Sequence, residues 1–275
     1  MRLLFEELTP KYFSNDRVQK FKNWIENAHT ARTTNSLGAT ANQYDKAEEL
    51  ITFYTFAPLA LRDNKQELIQ QILNQCSINE PVQGDVKLAY EKLIEPPKEY
   101  LTWYSTKVNQ HPVRYIREQS TIHNRDKLPL ESASHIDFYI ESNNLIILIE
   151  VKFTSDISDD TAYNPHRNQL ARLVDVGIEV ANSKGKKLVI LLSTPSEFYD
   201  NKSRLYRYKI EEYANLLEIQ RDIGWRNLPE IEKHLIGVKY TPLEHIISVL
   251  YTDFTHPDKE EALDFFKERN LIQTP

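Results

Sequence analysis

Sulfur is almost absent from this 275-residue chain, which holds one cysteine, Cys76, and one methionine. A lone thiol excludes an intramolecular disulfide and a zinc site built from several cysteines. On the helical-looking run 68–76 it reads as packing. Glycine is scarce as well, with six residues, and with 13 prolines the composition excludes a fibrous or low-complexity chain. Positive charge is not in excess: 34 Lys and Arg against 40 Asp and Glu give a net −6. A globally basic nucleic-acid binder is thereby excluded, and any such contact must use a local basic surface. The longest conspicuous apolar run, 145–149, is far shorter than the roughly 20 residues of a membrane span. The opening MRLLFEELTP places Glu6 and Glu7 where a signal peptide carries apolar residues. These readings predict a soluble, cytoplasmic protein that uses no membrane. Core material, by contrast, is plentiful: 40% hydrophobic and 11% aromatic residues suffice for one large domain.

Helical spacing dominates the first hundred residues. Phe21, Trp24 and Ile25 predict a helix over 18–28, residues 30–40 a polar loop, and Ala47, Leu50, Ile51 and Tyr54 a helix over 41–61 that Pro58 ends or kinks. Further helices are expected over 65–75, 85–95 and, after Pro96-Pro97, 98–109. From Pro112 the pattern turns to strands, over 113–118, 134–141 and 145–153, the last two joined by Ser142-Asn143-Asn144. Asn164-Pro165 predicts the start of a helix reaching about Asn182. Gly185 then leads into a strand over 187–193, and the rest reads mostly as helices. No repeat or long linker divides the chain. One domain over 1–275 is expected, with a core at 41–195, a helical segment 1–40 before it and a mainly helical extension 196–275.

The chemistry concentrates in LIILIEVKF, residues 145–153. Alternation puts Ile146, Leu148, Glu150 and Lys152 on one face of a strand whose first half is apolar on both sides, as in a central strand. The preceding strand carries Asp137. If a two-residue loop at Asn143-Asn144 joins the strands, partner numbers sum to 287 and Asp137 sits opposite Glu150; a four-residue loop also keeps both acids on one face, and a three-residue loop separates them. Facing like charges destabilise a sheet, and burying them costs several kcal/mol, of the order of an ion-desolvation penalty. A hard divalent cation removes that penalty, since Mg²⁺ favours one or two carboxylates plus waters. Lys152, on the same face, could then orient or deprotonate a water, or stabilise charge on a phosphate. These are the parts of metal-assisted phosphodiester hydrolysis. The competing reading is an edge salt-bridge network.

Asp137 in SHIDFYI followed by Glu150-Val151-Lys152 resembles the PD-(D/E)XK nuclease superfamily, over a core of about 41–195. The resemblance implies an α/β, restriction-endonuclease-like fold, a central mixed β-sheet flanked by helices, with helical additions at both ends. It implies Mg²⁺ or Mn²⁺ held by Asp137, Glu150 and the Val151 carbonyl, and a polar site residue on the next helix, Gln169. It also implies an extra carboxylate on the first core helix: Glu48 or Glu49, with Glu49 written into the expected ligand set and Glu99 as a further candidate. Ile136 departs from the family's proline before the first acid. A DNA endonuclease of restriction, phage defence or repair is the implied activity, with two copies where both strands are cut. The alternative is an inactive nuclease fold that binds nucleic acid or a partner subunit. Basic and aromatic residues interleave in NKSRLYRYK, with Lys202, Arg204 and Arg207, and basic residues recur over 114–127; with Arg172 they supply the expected local phosphate-binding surface. Removal of Lys152 is expected to leave folding nearly intact.

Overall fold

In a computed structural model that describes residues 2–13, 18, 19, 22, 48–110, 131–159, 164, 167–200 and 203–272, five strands form one sheet. They are β1 (Lys87–Ile94), β2 (Ser134–Glu141), β3 (Leu145–Val151), β4 (Lys187–Thr194) and β5 (Leu235–Pro242), in that spatial order. β2 runs antiparallel to both β1 and β3, and β3, β4 and β5 run parallel. The sheet is therefore mixed and β3 is central. Every residue of β3 is buried, as its two-sided apolar half requires; each such Ile, Leu or Val contributes about 1.5–3 kcal/mol on burial.

Helices cover both faces, so the α/β class holds. One layer contains α1 (Arg2–Tyr12), α2 (Glu48–Leu61), α3 (Lys65–Gln75), α10 (Leu243–Tyr251) and α11 (Lys259–Lys267), packed with Phe138, Ile147, Ile149 and Leu191. The other contains α5 (Gln169–Lys184), α7 (Leu205–Glu212), α8 (Leu216–Ile223) and α9 (Leu228–His234), packed with Ile146, Leu148, Ile190 and Leu192. Two further helices, α4 (Lys98–Gln110) and α6 (Ser196–Tyr199), complete the described elements. None of the described helices is long and apolar enough to cross a membrane.

Pro58 lies inside α2, which runs on to Leu61. Proline has no N–H, so the carbonyl of Tyr54 loses its helical donor. The hydroxyl of Tyr251 replaces it, donating at 2.7 Å, and that bond fastens α10 to α2. Gly177 lets α5 lie close on the sheet, for a Cβ there would come within 2.8 Å of both Leu188 methyl carbons.

Three expectations change. The segment read as a helix over 85–95 is β1, because its backbone finds the free edge of β2 from Lys87↔Glu141 to Ile94↔Ser134. β5 is a strand inside the region read as mainly helical. The helix after β3 starts later: Asn168 is its N-cap, accepting from the Ala171 N–H at 3.0 Å, while Asn164 donates to the Tyr100 hydroxyl. The expected loop at 30–40, the strand at 113–118, the basic residues of 114–127 and Lys202 lie outside the described residues, as does most of the expected helix at 18–28.

Candidate active site

The β2–β3 ladder pairs Phe138↔Ile149, Tyr139↔Leu148 and Ile140↔Ile147, all summing to 287, and its continuation sets Asp137 across from Glu150. At that point the two strands exchange a side chain for a backbone bond: the Val151 N–H donates to Asp137 Oδ2 at 2.7 Å. Glu150 is 2% exposed and Lys152 8%. Lys152 Nζ lies 2.8 Å from Glu150 Oε1, and its backbone N–H is fixed on the Ser193 carbonyl of β4 at 2.8 Å. Gln169, the first residue of α5, donates from Nε2 to the same Glu150 oxygen at 2.5 Å. Glu48 reaches in from α2, its Oε2 3.4 Å from Lys152 Nζ. Asp137, Glu150, Lys152 and Gln169 thus lie together, and of the two adjacent acids of α2 the one on Lys152 is Glu48 rather than the expected Glu49. Glu99 is exposed at the start of α4, and its side chain forms no hydrogen bond or ion pair among the described residues.

Charge does not balance here. Three carboxylates surround one ammonium. Burial, then the facing charge of Glu150, push the Asp137 carboxyl well above its usual range, while Lys152 and the Val151 N–H pull the other way. Burial raises Glu150 as well, with Lys152 the chief opposing influence. Burial also works against the Lys152 ammonium, yet Glu150, Glu48 and Asp137 outweigh it, so its proton is held more tightly than an ordinary lysine's. Glu150 Oε2 is buried and has no hydrogen-bond partner among the described residues. A buried carboxylate oxygen without a donor is costly by about 1–3 kcal/mol or more, and a cation is one remedy.

The row extends one strand further, through a residue the sequence reading missed. The β1–β2 register sums to 228 and leaves out one β1 residue, Glu91, which falls opposite Asp137. Glu91 is buried and has φ of +48°, a conformation costing an L-residue about 1–2 kcal/mol. Its charge adds to the upward pressure on Asp137, and His135 Nδ1 stands 4.0 Å from it. Only strand register could have revealed it, since the segment read as a helix.

α5 is held at its start by contacts remote in sequence. Arg167, fully buried, pairs with Asp175 at 2.8 Å and Glu131 at 3.4 Å and lies over the Tyr100 ring. Asn168 donates to the Tyr213 hydroxyl and to Asp222, at 2.8 and 2.9 Å. Gln169 N–H donates to the Ser158 carbonyl. Gln169 is thereby aimed at Glu150 by α8 and the loop before it.

Of the described members of the expected basic surface, Arg172 and Arg207 are spent within the chain. Arg172 donates to the Ser132 and Ala133 carbonyls at 2.6 and 2.9 Å and pairs with Glu131. Arg207 donates to the Asp200 carbonyl and pairs with Glu211 at 3.3 Å. Arg204 forms no ion pair among the described residues and sits 6.0 Å from the Phe198 ring centre.

Among the described residues, no three His, Cys, Asp or Glu side chains are arranged to hold a metal ion. Asp137 and Glu150 remain, and Mg²⁺ takes one or two carboxylates plus waters. No family model, curated protein or solved structure matches the chain.

Proposed function

We propose that the chain is a divalent-metal-dependent nuclease of the PD-(D/E)XK kind, hydrolysing phosphodiester bonds, with DNA as the expected substrate. The observation that carries this reading is the excess of acid at the end of β3: half-buried Asp137 opposite buried Glu150, one Glu150 oxygen without a donor among the described residues, and a single ammonium, that of Lys152, paired with Glu150 and Glu48. A structural ion pair needs one acid per base. A surplus of acid beside a lysine suits a site completed by a cation.

Asp137, Glu150 and the Val151 carbonyl would hold Mg²⁺ or Mn²⁺, which supplies Lewis-acid stabilisation of charge on the phosphate. Lys152, whose Nζ lies 2.8 Å from Glu150, would donate to a non-bridging phosphate oxygen or act on the attacking water. Gln169 holds the Glu150 carboxylate at a fixed angle through its 2.5 Å bond. Arg204, without an ion pair among the described residues and 6.0 Å from the Phe198 ring centre, would be left to meet a backbone phosphate. Two copies would be required where both strands of a duplex are cut.

The test is cleavage of duplex DNA, single-stranded DNA and RNA with Mg²⁺, for the wild type, Asp137→Asn and Lys152→Arg. Loss by orders of magnitude in both variants supports the reading. Equal cleavage by all three refutes it. Salt-sensitive binding with no cleavage by the wild type would establish the inactive, nucleic-acid-binding form of the fold instead.

A further inference from the structure

We propose that Glu48 is the positioning residue of this site, a clamp that fixes the turn after β3 and holds Lys152 over Glu150, and that it does not itself ligate the cation. The proposal rests on the nuclease reading for the task of Lys152 and on contacts alone for the clamp. Glu48 Oε1 accepts from the Phe153 N–H at 3.0 Å and from the Ser155 hydroxyl at 2.5 Å, which fills both acceptor positions of that oxygen. Its Oε2 faces the Lys152 ammonium at 3.4 Å. Both Glu48 oxygens are thereby engaged by donors of this chain. Glu150 Oε2, by contrast, has no donor among the described residues.

The turn that Glu48 grips is gripped from the other layer too. Asp156 accepts from the Leu205 and Tyr206 N–H groups at 2.6 and 3.1 Å, at the start of α7. Residues 153–156 therefore run between α2 on one face of the sheet and α7 on the other. Lys152, which precedes them, has its backbone set by β4 and its side chain set by Glu48 and Glu150. A carboxylate with three fixed donors serves geometry, and misplacement of a reacting group by about 1 Å can lower a rate by about 10²-fold.

The experiment compares Glu48→Gln, Glu48→Ala and Ser155→Ala with wild type and Asp137→Ala, each first checked for native circular dichroism. Hydrogen exchange at the Phe153 amide reads the clamp without any catalysis. Glutamine keeps an acceptor for that amide, so protection persists in Glu48→Gln and falls in Glu48→Ala. Calorimetric Mn²⁺ titration reads ligation: Glu48→Gln binds within about threefold of wild type, while Asp137→Ala loses binding. In the cleavage assay Glu48→Ala loses about 10²-fold in kcat with KM within threefold, Glu48→Gln recovers most of it, and Ser155→Ala shows a smaller loss in kcat alone. Loss of Mn²⁺ binding in Glu48→Gln equal to that of Asp137→Ala would overturn the proposal. So would unchanged Phe153 exchange in Glu48→Ala. If the wild type neither cleaves nor binds Mn²⁺, the nuclease reading fails, and the exchange result still decides whether Glu48 holds the turn.

Discussion

Replacing Asp137 by asparagine should make the metal-free protein more stable. Asparagine keeps an acceptor for the Val151 N–H, which donates to the aspartate at 2.7 Å, and removes only the charge. Two carboxylates across adjacent strands, about 5 Å apart, repel by about 3 kcal/mol at an effective dielectric near 20. The half-buried position of Asp137 and the attraction of Lys152 reduce this, leaving a gain of about 1–2 kcal/mol at pH 7, with Tm rising about 2–4 °C per kcal/mol. The sign follows from linkage. The folded-state pKa of Asp137 is raised above its ordinary value, so the stability of the wild type is fully present below that ordinary value and is lost as pH rises through the raised one. Asparagine has no such loss. Urea denaturation in EDTA from pH 3.5 to 8 should show the two proteins converging at the acid end and the variant ahead at neutral pH. Mn²⁺ should reverse the order, adding about 2.7 kcal/mol to the wild type at a hundredfold excess over Kd and nothing to the variant. A variant less stable than wild type in EDTA at pH 7, or one whose advantage is the same at every pH, would refute the electrostatic account.

Lys152→Ala should cost about 3–5 kcal/mol at pH 7, since it removes the one cation paired with buried Glu150 among the described residues; chemical denaturation decides between this loss and the expectation that folding stays nearly intact. Glu141 behaves oppositely to Asp137. Burial would raise its carboxyl, but Lys184, Lys186 and Tyr139 overcome that and hold it down at about 2. Its contribution is present above the ordinary glutamate value and is lost as pH falls through about 2, so Glu141→Gln should lose about 1 kcal/mol at neutral pH, after screening at the part-exposed Lys184, and nothing in strong acid. Gly177→Ala should lower stability by about 1–3 kcal/mol in a melt, because its Cβ would press on Leu188 and Leu148.

β3 was legible because its apolar residues occupy both faces, and the register with β2 followed from the length of one turn. Asp137, Glu150, Lys152 and Gln169 come together from that register plus the helix after β3. β1 was not legible: DVKLAYEKLIE has apolar residues at helical as well as alternating spacing, and what decides is an unpaired edge of β2 that lies some forty residues away in the chain. β5 reads LIGVKYTP and buries one residue in three rather than one in two, so no alternation marks it. The partners of Arg172 and Arg207 were hidden for a similar reason, since carbonyls and acids brought up by folding leave no sign in a local pattern of basic and aromatic residues.

The Leu4 N–H of α1 donates to Asp258, 254 residues later, at 2.9 Å, and Asn168 waits on Tyr213 and Asp222. Order on the ribosome follows from this. A nascent chain has the acid pair of β2 and β3 in hand long before α8 emerges to aim Gln169, and before α10 and α11 close over α2 and its Glu48. Translation products broken off short of residue 222 therefore carry the motif without its geometry, and a premature stop before that residue should silence the site as a change at Asp137 would.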